Sequence, residues 1–246
     1  MTSQLPPQTP LELSQLSQTD LLVLQKALLE VGFSPGPIDG LFGPLTLEAW
    51  ASFKESVNQH DPDYLTQIGP ASYAALLAER QVARSREHDF STRSGTVEAI
   101  RWECNRFGLY LKSQQAYVLA TVHHETAGTF CPLEEYGKGK GRPYGRPDPT
   151  TGKAYYGRGF VQLTWKGNYQ KYSRILNVDL VNHPEKACNP NVALFVLVHG
   201  FKTGAFTGRR LEQYVRQGKT DFYNARRCMN GMDRASQIAS LARGYL

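Results

Sequence analysis

Apolar residues in this chain recur three and four positions apart, in patches cut off from one another by glycine and proline. Leu21, Leu24, Leu28 and Val31 form one patch, closed by Gly32, and Leu47, Trp50 and Phe53 form another. Later patches hold Leu111, Val118, Leu119 and Val122, then Val192, Leu194, Phe195 and Leu197, then Ile238, Leu241 and Ala242. Spacing of this kind lines up side chains on one face of a helix, while Gly and Pro punctuate helix ends. The chain is thereby restricted to a series of short helices, and the expected fold class is mainly α.

At 246 residues the chain exceeds the usual single-domain size, so two unequal domains are expected. Residues 1–14 read as an N-terminal tail and 15–80 as a small three-helix unit. Within it Thr19 and Thr46 are candidate N-caps, 58–69 is a looser segment, and Pro70 opens a third helix running through Ala78. Residues 81–94, charged and without apolar periodicity, read as a linker. A larger, predominantly helical unit then fills 95–246. The Gly/Lys/Pro stretch from Gly137 to Gly152 should be a loop, and loops this long in compact domains usually carry function.

Charge divides the same way. Residues 1–94 hold 6 Lys/Arg and 11 Asp/Glu, whereas 95–246 hold 22 and 11. A basic C-terminal part implies a polyanionic partner or surface. Its cations do not run in a block along a helix and match no nucleic-acid signature, so nucleic acid is not the expected partner. Nothing approaches the roughly 20 apolar residues of a membrane span, and no membrane insertion is expected. Residues 1–18 lack a basic start and an apolar core, so no secretory signal is visible. The scattered Cys104, Cys131, Cys188 and Cys228 read as free, mostly buried thiols.

Two segments carry the candidate chemistry. In the first, Glu125 closes a helix that Ser113 could cap, on the side of Val118 and Val122, and a Glu134-Glu135 pair follows about ten residues later. Burial beside apolar neighbours would favour the protonated carboxyl that a general acid needs. Pro132 turns the chain out of the helix, so the pair can face Glu125 across a cleft. Adjacent residues of an extended segment point opposite ways, so only one of the two should do so. The second segment, Tyr155 to Tyr169, mixes rings with amide, hydroxyl and guanidinium groups. Tyr156, Arg158, Gln162, Thr164 and Asn168 are its candidate substrate contacts, with Gln162 and Thr164 sharing a face if extended. Phe160 and Trp165 read as core. Two separated carboxylates beside a polar, aromatic wall is the equipment of a glycosidase.

Both units carry family resemblances. Leu24-Gln25-Lys26-Ala27-Leu28, Pro37-Ile38-Asp39-Gly40, Phe42-Gly43, Thr46 and Phe53 resemble the peptidoglycan-binding domain found at the ends of many wall hydrolases, with a D-G-x-F-G-x-x-T centre. Gly40, Gly43 and Phe53 individually read as turn and core residues there. The second unit resembles glycoside hydrolase family 19, the chitinase and phage-type endolysin group. His124-Glu125-Thr126 is similar to its H-E-T acid motif, Leu133-Glu134-Glu135-Tyr136-Gly137 to its endolysin-like base segment, and Tyr156-Gly157-Arg158-Gly159-x-x-Gln162-x-Thr164 to its Y-G-R-G-x-x-Q-[LI]-[ST] stretch. Arg227-Cys228-Met229-Asn230-Gly231 is similar to the family's I-N-G stretch.

The resemblance implies a lysozyme-like catalytic domain, with Glu125 as general acid and Glu135 as general base. It also implies substrate contacts from Gln162, Thr164, Asn168 and Asn230, and an inverting mechanism. Such carboxylate chemistry needs neither metal nor cofactor. The expected function is an endolysin-type enzyme cutting the N-acetylated glycan of peptidoglycan, as a monomer. It would accumulate in a host cytoplasm and reach the wall after release. Chitin, or its oligosaccharides, is the alternative substrate. A zinc wall peptidase using His123, His124 and His199 is disfavoured because Gly128 stands where H-E-x-x-H needs its second His. A non-catalytic wall-binding protein is disfavoured because both acids are present.

Overall fold

The computed structural model describes residues 3–57, 65–229 and 231–246. The chain divides into two compact units, Met1–Glu87 and His88–Leu246. In the first, three helices, α1 (Gln18–Glu30), α2 (Pro44–Ser56) and α3 (Pro70–Ser85), enclose a core of Leu13, Leu24, Leu28, Trp50, Phe53 and Leu76. Several local expectations are corrected. Ser17, not Thr19, caps α1, its hydroxyl accepting from Asp20 N at 3.2 Å. Helix α2 starts at Pro44, two residues ahead of Thr46, whose hydroxyl is buried and reaches the Pro35 carbonyl instead. Helix α3 runs past Ala78 into the expected linker, and the looser segment at 58–69 is described only from residue 65.

Residues read as a tail also belong to the first unit. Strand β1 (Leu11–Glu12) pairs antiparallel with β2 (Gln67–Ile68), and Leu13 is fully buried. Leu11, Leu13 and Leu16 are apolar enough to be drawn into the core, which is why the segment does not fray. The D-G-x-F-G-x-x-T stretch is organised by one buried amide. Gln25 Oε1 accepts from Asp39 N and Gly40 N, while its Nε2 donates to Leu41 O and Thr46 Oγ1. Gly40 has φ +73°, and a Cβ there would sit 2.5 Å from the Gln18 carbonyl, so the turn requires glycine.

The second unit is built round α5 (Lys112–Glu125), with α4 (Arg93–Arg106), α7 (Pro190–Thr203) and α8 (Ala235–Gly244) packed on it. Every residue of α5 from Gln114 to Val122 is buried, so it has no solvent face over that span. Ser113 lies inside the helix rather than capping it, and Gln114 Oε1 accepts from Leu111 N at 3.2 Å. Tyr117 packs on Phe201 and Phe222, with ring centroids 5.9 Å away in each case. Around this core lie α6 (Lys166–Leu176) and two short antiparallel pairs, β3 (Leu133–Glu134) with β4 (Arg158–Gly159) and β5 (Val215–Arg216) with β6 (Lys219–Thr220). Phe160 is fully buried, as expected. All four cysteines are free, with Cys104 and Cys228 buried and Cys131 exposed. Among the described residues no helix is long and apolar enough to cross a membrane.

His199 on α7 is buried, stacked on Phe195 and edge-on to Phe107. Burial, with the Lys171 charge adding to it, pushes its pKa down to about 3. An unfolded chain takes up that proton near 6.5. The folded state then binds fewer protons, so stability present above about pH 6.5 is lost as pH falls towards 3. The urea midpoint should therefore drop across that window by less in His199→Phe than in the unaltered protein. Equal drops in the two proteins would refute the assignment.

Candidate active site

Glu125 sits where α5 stops, and the stop is written into the residues that follow. Gly128 N donates to His123 O at 2.7 Å and Ala127 N to His124 O at 3.3 Å, the paired bonds of a Schellman ending. Ala127 takes the left-handed position at φ +49°. Thr126 is fully buried: its hydroxyl donates to Val122 O at 2.7 Å and accepts from Phe130 N at 3.1 Å. The threonine of His-Glu-Thr is thus the hinge pin of the turn. Since α5 is buried almost all round, its facing does not select Glu125; emergence at the helix end does.

The carboxylate of Glu125 is 18% exposed and lies 3.0 Å from Arg226 Nη1. Arg226 is buried in a 3-10 turn over Asn224–Cys228, with its Nε donating to Asp233 O. The apolar surroundings expected for Glu125 are therefore corrected: a guanidinium is its nearest charged neighbour. Glu125 Oε1 accepts from Arg226, and Oε2 carries no hydrogen bond among the described residues.

Strands β3 and β4 sort the Glu134-Glu135 pair. Glu134 pairs with Arg158 in register, and its Oε1 accepts from Arg158 Nε and Tyr156 Oη, each at 2.9 Å. Burial alone would raise its pKa, but the Arg158 and Tyr156 hydrogen bonds and the Arg158 and Lys138 charges outweigh it and hold it below the ordinary value. Glu135 turns the other way. Its Oε2 accepts from Gly157 N at 3.1 Å, its Oε1 accepts from Tyr144 Oη at 3.3 Å, and its own N donates to Gly157 O at 2.8 Å. None of the ion pairs among the described residues involves Glu135.

The Tyr-Gly-Arg-Gly-x-x-Gln stretch has a steric logic. Gln162 Oε1 would lie 2.6 Å and Gln162 Cβ 3.1 Å from a Cβ on residue 157, so a larger residue there would push the Gln162 side chain aside. Gly157 therefore brings Glu135 and Gln162 together, one on its N–H and one over its Cα. Gln162 has φ +52°, in a tight turn closed by Leu163 N to Arg158 O at 2.8 Å. The extended run in which Gln162 and Thr164 would share a face is broken there. Asn168 Nδ2 donates to Thr164 O at 2.8 Å, which ties these two candidates into one turn at the start of α6.

Two of the expected substrate contacts have little exposed surface. Arg158 is 4% and Tyr156 8% exposed. The Arg158 guanidinium lies 3.7 Å over the Tyr156 ring and donates to Ala154 O and Tyr169 Oη as well as Glu134. Both are braces beneath the site. Trp165, read as core, is 52% exposed at φ +71°, its ring edge-on to Tyr144 at 5.4 Å. Asn230 lies outside the described residues. His123 accepts or donates to Tyr245 Oη at 2.8 Å, and His199 is enclosed on α7, so the two are committed to different neighbours. Sequence reasoning missed Tyr144 and Arg226. Tyr144 comes from a loop without periodicity, and nothing in Arg226-Arg227 says which arginine turns inward.

Residues 110–204 match the family model described as chitinase class I, that of glycoside hydrolase family 19. Basic endochitinase CHB4 of Brassica napus is 34% identical over 152 residues, covering 59% of this chain and 52% of that protein. Endochitinase At2g43620 of Arabidopsis thaliana is 37% identical over 109 residues, 42% of this chain and 37% of that one. The crystal structure of chitinase C from Streptomyces griseus is similar at 20% identity and a TM-score of 0.43, over 67% of this chain and 72% of that one. The matched segment lies within the second unit and is similar to the family 19 glycoside hydrolases. It contains Glu125, Glu135 and the Gln162 turn, and stops before Arg226. The chain spans about half, or less, of the length of the curated relatives it matches.

Two substitutions test this local architecture. Ala127→Gly relieves a left-handed alanine and should raise stability by about 0.5–1 kcal/mol in urea unfolding. Glu134→Gln should cost about 1–3 kcal/mol by stranding the buried Arg158; that is below the cost for a fully buried pair because the Glu134 carboxylate is 36% exposed. Unchanged unfolding of Glu134→Gln would show that Arg158 does not depend on it.

Proposed function

We propose that the second unit hydrolyses glycosidic bonds of a glycan built from N-acetylated amino sugars. The observation that carries this reading is the opposite fate of two neighbouring acids. Glu134 is spent on Arg158 and Tyr156, while Glu135 is oriented by two hydrogen bonds and paired with no cation among the described residues. A carboxylate held that way is suited to accept a proton from water. Glu125, at the end of α5 with Oε2 uncommitted, is suited to give one to the leaving oxygen. The water attacks the anomeric carbon from the face opposite the departing sugar, so the product is inverted. Gln162, beside Glu135 across Gly157, supplies an amide that can hold the water or an N-acetyl group. Arg226 keeps Glu125 in place.

The relatives' names favour chitin as the substrate, since the curated proteins similar to this chain are called endochitinases. A second reading, peptidoglycan, is supported by the first unit's resemblance to wall-binding domains and by the basic balance of residues 95–246. A wall-binding module would raise the local concentration of the enzyme at such a substrate. Glu125→Gln and Glu135→Gln should each lower kcat on N-acetylglucosamine oligomers by about 10²–10⁴-fold in folded protein. Glu135→Gln should unfold as the unaltered protein does, whereas Glu125→Gln should also lose about 1–3 kcal/mol of stability, because the buried Arg226 loses its carboxylate. Product analysis should find the inverted anomer first. Full rate in either variant, or a retained anomer, would overturn the two-carboxylate assignment. Comparing chitin with purified peptidoglycan as substrate separates the two readings.

A further inference from the structure

The loop between Glu135 and Tyr155 holds Lys138, Lys140, Arg142, Arg146 and Lys153 against one acid, Asp148. Asp148 is already matched by Lys166 at 2.8 Å, and Lys138 lies 3.8 Å from Glu134. Lys140, Arg142 and Arg146 are exposed, and none of the ion pairs among the described residues involves them. Such a surplus, on a segment whose Tyr144 touches Glu135, puts uncompensated positive charge at the edge of the site.

The loop is a folded object. Lys138 N donates to Glu135 O, Lys140 N to Gly137 O and Arg142 N to Gly139 O, at 2.8, 2.8 and 2.9 Å. These successive turns start at the candidate base itself. The backbone then folds back so closely that a Cβ on Gly145 would sit 1.9 Å from Gly139 O. Tyr155 N donates to Tyr144 O at 3.0 Å, and the Asp148–Lys166 pair pins the far end beside Trp165. Arg142 is near enough for its charge to act on the Tyr144 phenol. The cations are thus displayed from a braced rim whose position relative to Glu135 is set by hydrogen bonds.

A neutral sugar polymer gains nothing from such a rim, whereas a glycan bearing carboxylates is drawn towards it. We propose that the Gly137–Gly152 loop is a charge-selecting rim: Lys140, Arg142 and Arg146 recognise carboxylate substituents on the glycan. Anionic N-acetylated glycans are then cleaved in preference to neutral ones of the same backbone. This rests on the glycosidase reading above and adds the chemical class of substrate to it.

The test uses two soluble polymers with one backbone, carboxymethyl chitin (anionic) and glycol chitin (neutral), and the full chain. In Lys140→Gln/Arg142→Gln/Arg146→Gln the ratio of kcat/KM on the anionic polymer to that on the neutral one should fall about tenfold. Activity on glycol chitin should stay within about twofold, which also shows that the variant is folded. Raising ionic strength should depress the ratio in the unaltered protein and much less in the variant, because exposed charges are screened. A ratio equal in both proteins, or insensitive to salt, overturns the rim while leaving hydrolysis intact. If the unaltered protein cuts neither polymer, the glycosidase reading fails and this inference falls with it.

Discussion

The site depends on a pairing only two residues long. Because successive side chains of a strand point to opposite faces, joining β3 to β4 forces Glu134 and Glu135 apart. One carboxylate turns to Arg158 and Tyr156, and the other turns to Gly157 and Tyr144. A shift of one residue in this register would exchange their roles. The register is held from below, since Arg158 also bonds Ala154 O and Tyr169 Oη and cannot follow Glu134 elsewhere. The buried guanidinium thus fixes which acid is available.

Charge partners are divided with similar economy. Of the acids considered for chemistry, Glu125 and Glu134 each face an arginine buried in the unit, and Glu135 faces a phenol and a peptide N–H. Glu125 has one oxygen bound and one uncommitted, which fixes its direction while leaving it an edge to use. The two buried arginines thus orient two of the three acids and leave the third to neutral donors.

Much of this was legible in the sequence because it is periodic or local. Helix spacing gave the mainly α fold, and the apolar patch at Leu111–Val122 marked the central helix. Strand alternation anticipated that only one of Glu134 and Glu135 would be presented. What stayed illegible lies in contacts distant along the chain. Arg226 meets Glu125 across about a hundred residues, and Tyr144 reaches Glu135 from a loop whose turns follow no period. Residue type suggests a buried indole at Trp165 and an exposed arginine at Arg158, whereas burial is decided by packing, so the arginine lies inside and the indole stays out.

The two acids are mounted on supports of unequal stiffness. Glu125 terminates a helix enclosed by the whole second unit, so displacing it means disturbing the packing of α4, α7 and α8. Glu135 hangs from a two-residue ribbon and a loop phenol near the surface, where local opening costs least. Of the two, Glu135 is therefore the one whose setting can change without loosening the helical packing of the unit, much as a latch can be re-seated without moving the door frame.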